Sequence, residues 1–225
     1  MQQPARMRAS REARRQQIVD AARTIIVEQG LERLTTDALT AATGLSAGGI
    51  FRHFNSKDDI LLQLMENIHA SLVTAFAELR DSPGPALDRL RTRLRQHFLQ
   101  AERRRGIGFL TTNWALYADN PVLVRKAQEA ADVLLNGVAD ILRQGQAEGS
   151  VRPDINVEVA AELFRSMAHG HVGLWTLRGR SFPVFASFDD LWELYRQAIG
   201  SPEAQRDKSQ GFHAVPSMTL PNGRA

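Results

Sequence analysis

The chain has 225 residues and no cysteine, with 28 basic and 25 acidic residues and a formal charge of +3. Its 43% hydrophobic content excludes a wholly disordered chain, and the lack of cysteine excludes disulfides, thiolate nucleophiles and cysteine-based metal sites. The charge is unevenly placed: residues 1–15 hold Arg6, Arg8, Arg11, Arg14 and Arg15 against Glu12 alone, so this tip is +4 and the remainder −1.

The apolar period is helical nearly throughout, which predicts an all-α fold. Residues 1–10 read as a flexible basic arm. Over 11–29 the stripe Ile18, Ala21, Ala22, Ile25, Ile26 marks a helix that Gly30 stops. Thr35 caps a short second helix through Ala38, Leu39 and Ala42, ended by Gly44; Ser46 caps a third running to about Phe54. Ser56 opens a fourth over 57–79, with Asp58 and Asp59 in its first turn, where the helix dipole favours acids.

Ser82-Pro83-Gly84-Pro85 is a strong break. Beyond it, helices are expected at 87–101, 107–118, 121–148 (Pro121 at its first position), 156–178 and 188–199. From Ser201 the chain turns polar without a period, so 201–225 reads as a disordered tail or, less simply, a docking peptide. No apolar run matches a membrane helix and no apolar stretch follows the basic start, so the cytoplasm is the expected compartment.

Three helices in some 45 residues, the last two joined at Gly44-Leu45-Ser46, have the outline of a helix-turn-helix. Gly44 permits a positive φ at the turn and Leu45 plugs the angle between the helices. Ala47, Gly48 and Gly49 leave the tip of the third helix nearly bare, open to close approach by base edges or sugar-phosphate. Arg52 and His53, one turn on, are candidates for base or phosphate contact. Thr35 and Thr36, Ser46 and Lys57 stand at helix starts, where hydroxyl, ammonium and N–H groups suit phosphate oxygens. Arg14 and Arg15, at the start of the first helix, lie nearer the DNA backbone than Arg6 or Arg8 on this reading, and the arm adds salt-dependent affinity. Phe51 and Phe54 fall at helical spacing toward the first helix, which favours core for both, while Phe51, on the recognition helix, also stands among the candidate DNA contacts.

The stretch Thr35–Lys57, TTDALTAATGLSAGGIFRHFNSK, closely resembles the TetR/AcrR family of one-component transcriptional regulators. The likeness rests on Thr35, Gly44-Leu45-Ser46, Gly48, Phe51, Phe54, Ser56 and Lys57, and covers 11–71. Three positions depart from the pattern: Phe51 replaces a tyrosine that commonly reaches phosphate, Gly49 a frequent threonine, and Thr43 a small residue.

The resemblance implies a helix-turn-helix domain at 11–71 (motif about 34–53) and a helical ligand-binding and dimerisation domain at 72–200. It implies a homodimer through 156–178 and 188–199, where Ala160, Ala161, Ala168, Gly170 and Gly173 would allow close helix approach. Its partner would be double-stranded DNA carrying a palindrome.

A ligand chamber would lie between 57–79, 87–101, 107–118 and 121–148. Its expected walls are Met65, Leu94, Phe98, Leu110, Trp114, Tyr117 and Leu134, with His97, Asn113, Asn136 and His171 as the few polar groups. A largely neutral, aromatic-lined pocket suits an apolar or amphipathic effector.

No metalloprotease, dinucleotide, phosphate-loop or serine-hydrolase motif occurs, so no catalytic residue, cofactor or metal is expected. His169 and His171, two apart on a helix, face different ways and do not form a metal pair. A ligand-released dimeric repressor is the leading reading. The alternatives are an activator or architectural DNA-binding protein without an effector, and a helical protein–protein adaptor with a vestigial helix-turn-helix.

Overall fold

The computed structural model describes residues 3–103 and 119–202. The described residues form eight α-helices. The first, α1, spans Gln3–Gln29, and a 3-10 turn follows at Leu31–Arg33. Then come α2 at Thr36–Thr43, α3 at Ala47–Phe51 and α4 at Lys57–Asp81. The remaining helices are α5 at Ala86–Arg103, α6 at Pro121–Ala147, α7 at Val157–Leu177 and α8 at Phe188–Ile199. The expected helix at 107–118 and most of the expected tail, 203–225, lie outside the described residues. The β-type pairing among the described residues is an isolated bridge between Val151 and Gly200.

The helix ends follow local chemistry. Thr35 Oγ1 accepts from Ala38 N at 3.2 Å, Ser46 Oγ from Gly49 N at 3.1 Å and Ser56 Oγ from Asp59 N at 3.1 Å, each satisfying a donor the first turn leaves unpaired. Asn120 caps α6 through Val122 N and Leu123 N, with Pro121 in its first turn. Residues 3–10 extend α1 where the sequence suggested a flexible arm. Nothing in that stretch stops a helix: its one proline, Pro4, lies in the first turn, where proline is tolerated.

Two apolar cores form. The first gathers Ile18, Ala22, Ile25 and Ile26 of α1, Leu39, Ile50, Phe54, and Ile60 to Met65 at the start of α4. The second joins Phe76 and Leu79 at the far end of α4 to α5, α6, α7 and α8 around Leu90, Leu94, Phe98, Val138, Ile141, Phe164, Trp175, Trp192 and Tyr195. Leu123 and Ala127 of α6 belong to the first core, while Leu134, Val138, Ala139, Ile141 and Leu142 belong to the second. Thus α4 and α6 both run through the two cores, packed along each other. The expected division between 11–71 and 72–200 falls inside α4, with no linker there.

By length and composition α4 could cross a membrane, but Ile60, Leu61, Leu64, Met65, Phe76 and Leu79 are buried in these two cores. The buried aromatics keep their polar ends paired: Trp175 Nε1 donates to the Phe182 carbonyl at 2.8 Å and Tyr195 Oη to the Ala160 carbonyl at 3.0 Å. On α7, Ala160, Ala161 and Ala168 are buried in the protomer's own core, so they do not form the outer face that the sequence suggested. Gly170 and Gly173 have open space beside them. The exposed apolar stripe of α7 is Val159, Leu163, Leu174 and Leu177, with Leu194 exposed on α8.

Candidate nucleic-acid interface and ligand cavity

The helix-turn-helix is built as its residues dictate. Gly44 adopts φ 69°, the left-handed cap that ends α2, and its N–H donates to the Thr40 carbonyl. Thr43, one of the departures from the family pattern, supports the turn: its hydroxyl donates to the Leu39 carbonyl at 2.7 Å and accepts from Leu45 N at 3.3 Å. Gly49 is explained internally, because a Cβ there would lie 3.3 Å from Ser46 Oγ, the cap itself. Gly48 is not. A Cβ at Gly48 would meet nothing within 4 Å.

The predicted contact residues divide on exposure. Arg14, Thr35, Ser46, Ala47, Gly48, Phe51, Arg52 and Lys57 are exposed; Thr36, Gly49 and His53 are half-buried. Phe54 is core, as its spacing suggested. Phe51 is not: it is 50% exposed at the end of α3. A five-residue helix has room for one buried stripe, and Ile50 occupies it. Lys57 Nζ donates to the Leu31 carbonyl at 3.2 Å.

Arg15 departs furthest from its expected role. Its Nη1 donates to the His53 carbonyl and its Nη2 to Gln63 Oε1 at 2.7 Å, while its guanidinium sits 4.2 Å from the centre of the Phe54 ring. This arginine is an internal clamp that holds the end of the recognition segment to α4. Its two neighbours continue the pattern. Gln17 Nε2 donates to the Thr43 carbonyl at 3.1 Å, fixing the end of α2, and Gln16 Oε1 accepts from Asn67 Nδ2 of α4 at 3.3 Å. One turn of α1 therefore holds α2, α3 and α4 together.

Gln16 and Asn67 also line a cavity of about 410 Å³. Its floor on α1 is Gln16, Val19 and Arg23; α4 supplies Leu64, Ile68, Leu72 and Ala75, and α6 supplies Ala130, Ala131 and Leu134. From α5 come Arg93, His97 and Ala101, and from α7 come Arg165 and His169. The volume is that of a small-molecule site, on the order of 300–1,000 Å³. Its described lining is more polar than the expected chamber, whose aromatic walls Trp114 and Tyr117 lie outside the described residues. No phenylalanine, tyrosine or tryptophan and no carboxylate lines it among the described residues, whereas arginine and imidazole groups do.

Of the expected walls, His97 and Leu134 line this cavity. Met65 is buried in the first core, and Leu94 and Phe98 in the second. His171 stacks on Phe98 at 5.0 Å, and its Nε2 lies 2.8 Å from the Val184 carbonyl, so packing accounts for it. Asn136 is exposed to solvent. Leu110, Asn113, Trp114 and Tyr117 lie outside the described residues. Helical periodicity finds inward positions but does not separate those that meet a neighbour from those that meet a void. A usable signal was present: Arg93/His97 and Arg165/His169 are both i, i+4 pairs, each sharing one face of its helix.

Burial dominates the chemistry of these groups. It pushes His97 down to about 4, helped by the nearby Arg93 charge, and His169 down to about 3, helped by His97, Arg165 and Arg93. Both imidazoles are therefore neutral at pH 7. Their rings lie 5.1 Å apart, joining α5 to α7 across the cavity.

A capped helix-turn-helix on a larger helical body with its own cavity defines a DNA-binding regulator of transcription. Residues 18–64 match TetR_N, the family model for bacterial regulatory proteins of the tetR family. The match places a tetR-family DNA-binding domain at residues 18–64 of this chain. It is 27% identical over 189 residues to the nucleoid occlusion factor SlmA of Photobacterium profundum, covering 83% of this chain and 96% of the relative. It is 23% identical over 183 residues to the fatty acid metabolism regulator protein of Bacillus subtilis, covering 81% and 94%.

Among solved structures, the B. subtilis transcriptional regulator FadR, in complex with stearoyl-CoA, matches with a TM-score of 0.70 at 24% identity, covering 82% of this chain and 98% of that one. A TetR transcriptional regulator from Chloroflexus aurantiacus matches at 0.73 and 23%, covering 86% and 99%. These likenesses establish the fold.

Proposed function

We propose that this protein is a dimeric repressor that binds a palindromic operator and is released by an amphipathic small molecule held in the cavity. The cavity carries this reading: its floor is the turn of α1 whose residues 15–17 clamp the DNA-reading helices. A ligand that moves Gln16 or Val19 bears on the same turn as the clamps from Arg15 to His53 and from Gln17 to Thr43. Since α4 and α6 pass through both cores, the displacement reaches the reader as a shift of continuous helices.

DNA contact falls to the exposed groups Arg14, Thr35, Ser46, Ala47, Gly48, Phe51, Arg52 and Lys57, with Thr36, Gly49 and His53 at the margin. Arg15 acts by positioning. The bare Gly48 lets the sugar-phosphate backbone come close, and Phe51 presents a ring edge in place of a hydroxyl. Pairing of two chains through the α7–α8 stripe would set two readers about 34 Å apart, one turn of DNA. The cytoplasm is the compartment in which such a protein acts.

The test is operator binding by the purified dimer, followed by fluorescence anisotropy, with light scattering for mass. Sequence-specific binding as one or more dimers, weakened by a cavity ligand, is the expected result. A monomer, or a dimer whose DNA affinity no cavity ligand alters, would overturn it. The similarity to nucleoid occlusion factors over 83% of the chain supports a second reading, in which DNA binding serves more than individual promoters. Genome-wide recovery of bound DNA separates the two: a few sites beside genes for the first, many dispersed sites for the second.

A further inference from the structure

The cavity holds cationic groups with no hydrogen-bond or ion-pair partner among the described residues. Arg93 is only 6% exposed, yet its Nε has no hydrogen-bond partner, and neither Arg93 nor Arg165 forms an ion pair or hydrogen bond among the described residues. Arg165 Nε, His97 Nε2 and His169 Nδ1 are likewise buried and unpartnered. All four residues line the one cavity. By contrast Arg23, at the same cavity, is paired with Asp20 at 2.7 Å. Arg89, four residues before Arg93, also has an unpartnered Nε, but its Nη1 donates to the carbonyls of Leu79 and Arg80. The Phe76 ring lies 5.3 Å from the Arg93 guanidinium, but a ring face leaves the in-plane N–H donors of the fork unused.

An uncompensated buried cation opposes folding, and proteins retain one where something else neutralises it. Burial lowers Arg93 from its ordinary value, but arginine starts so high that it remains charged at pH 7. The missing counter-charge must then come from outside the described chain. The cavity that these four residues line also has an apolar wall of Leu64, Ile68 and Leu134.

We propose that the cavity binds an organic anion, with a carboxylate or phosphate head held between Arg93 and Arg165 and flanked by His97 and His169. The hydrocarbon body lies against the apolar residues of α4 and α6. Planar guanidinium forks match both oxyanions in bidentate geometry, and each histidine adds a donor or acceptor according to its tautomer. This names the chemical class of the effector, and so rests on the reading that the cavity is an effector site.

Calorimetric titration of the full chain with octanoate, octyl phosphate and octan-1-ol tests it, with operator anisotropy measured in parallel. At least one anion is expected to bind the native protein ten-fold or more tighter than the alcohol. Arg93→Gln and Arg165→Gln should each remove most of that preference while leaving alcohol binding unchanged; Arg165→Lys should keep part of it. Equal affinity for the alcohol and both anions, binding of none of the three, or an anion preference that survives in both glutamine variants would overturn the inference. Circular dichroism identifies a variant that fails to fold, and the other arginine then carries the test. Anion binding that leaves operator affinity unchanged supports the anion site but defeats the release mechanism, so the two failures are distinguishable.

Discussion

The DNA reader and the cavity treat their arginines in opposite ways. In the reader, Arg15 is bound to a carbonyl, an amide and an aromatic face, and Lys57 is tied to the Leu31 carbonyl. In the cavity, Arg93 has the Phe76 ring face but neither it nor Arg165 has a hydrogen-bond or ion-pair partner among the described residues. Satisfied polar groups make a rigid element whose outer surface can be small and bare, as at Ala47 and Gly48. Unsatisfied ones mark where a partner is missing. On the proposed reading, rigidity belongs to the reader and a demand for a ligand to the cavity.

The sharpest way to break this comparison is to ask whether the two regions fold separately. Phe98→Ala removes a fully buried ring packed on His171, Phe185 and Phe188, and should cost about 3–5 kcal/mol. Leu123→Ala, in the reader's core but on a sensor helix, should cost about 2–5 kcal/mol. Because α4 and α6 cross both cores, calorimetry should show one transition lowered in each variant. Two separate transitions would mean the cores are independent.

A smaller effect concerns pH. The folded values of His97 and His169, about 4 and about 3, lie below the unfolded value near 6.5, so their contribution is intact above pH 6.5 and falls as pH drops toward them. Denaturant titrations at pH 7 and pH 5 should show a loss of about 2 kcal/mol per histidine. Replacing both with glutamine should make the fall shallower. An unchanged slope would mean these rings are not held neutral by burial.

Arg15→Ala should destabilise the protein by about 2 kcal/mol through its lost clamp, and weaken operator binding by loosening the recognition segment. Arg52→Ala should instead lower operator affinity several-fold with an unchanged melting temperature, since Arg52 is exposed. Equal thermal behaviour of the two variants would erase the distinction between positioning and contact.

Gly48→Ala isolates the surface still further. A Cβ there has open space, so stability should hold or rise by up to about 1 kcal/mol, while operator affinity falls about ten-fold if backbone approach is what the glycine serves. Last, removal of residues 1–10 deletes Arg6 and Arg8 and should reduce the salt slope of DNA binding by about 2. Salt titration of operator affinity reads it directly.

Much of the reader was legible because its signals are local. Thr35, Ser46 and Ser56 act as caps on N–H groups three residues away, and Gly44 takes the positive φ that its place predicts. Phe51 was misread because its spacing matched the core stripe, whereas so short a helix buries only Ile50. The clamp made by Arg15 is not legible locally, because its partners, His53 and Gln63, lie 38 and 48 residues away. In the sensor, periodicity identified inward residues, but Leu94 and Phe98 went to core while Arg93 and His97 went to the void.

The sequence by itself determined the helices, their caps and the turn of the DNA reader, since these depend on contacts within about four residues. Tertiary structure alone decided that Arg15 found distant partners while Arg93 and Arg165 share a cavity. Arg93 and His97 are some seventy residues from Arg165 and His169, and only the packing of α5 beside α7 brings their unpartnered nitrogens to one cavity. Likewise, only packing sets the floor of that cavity on the turn of α1 that holds the recognition helices. The amino-acid code specifies the reader through short-range geometry; its link to the sensor arises from long-range contacts that no local pattern encodes.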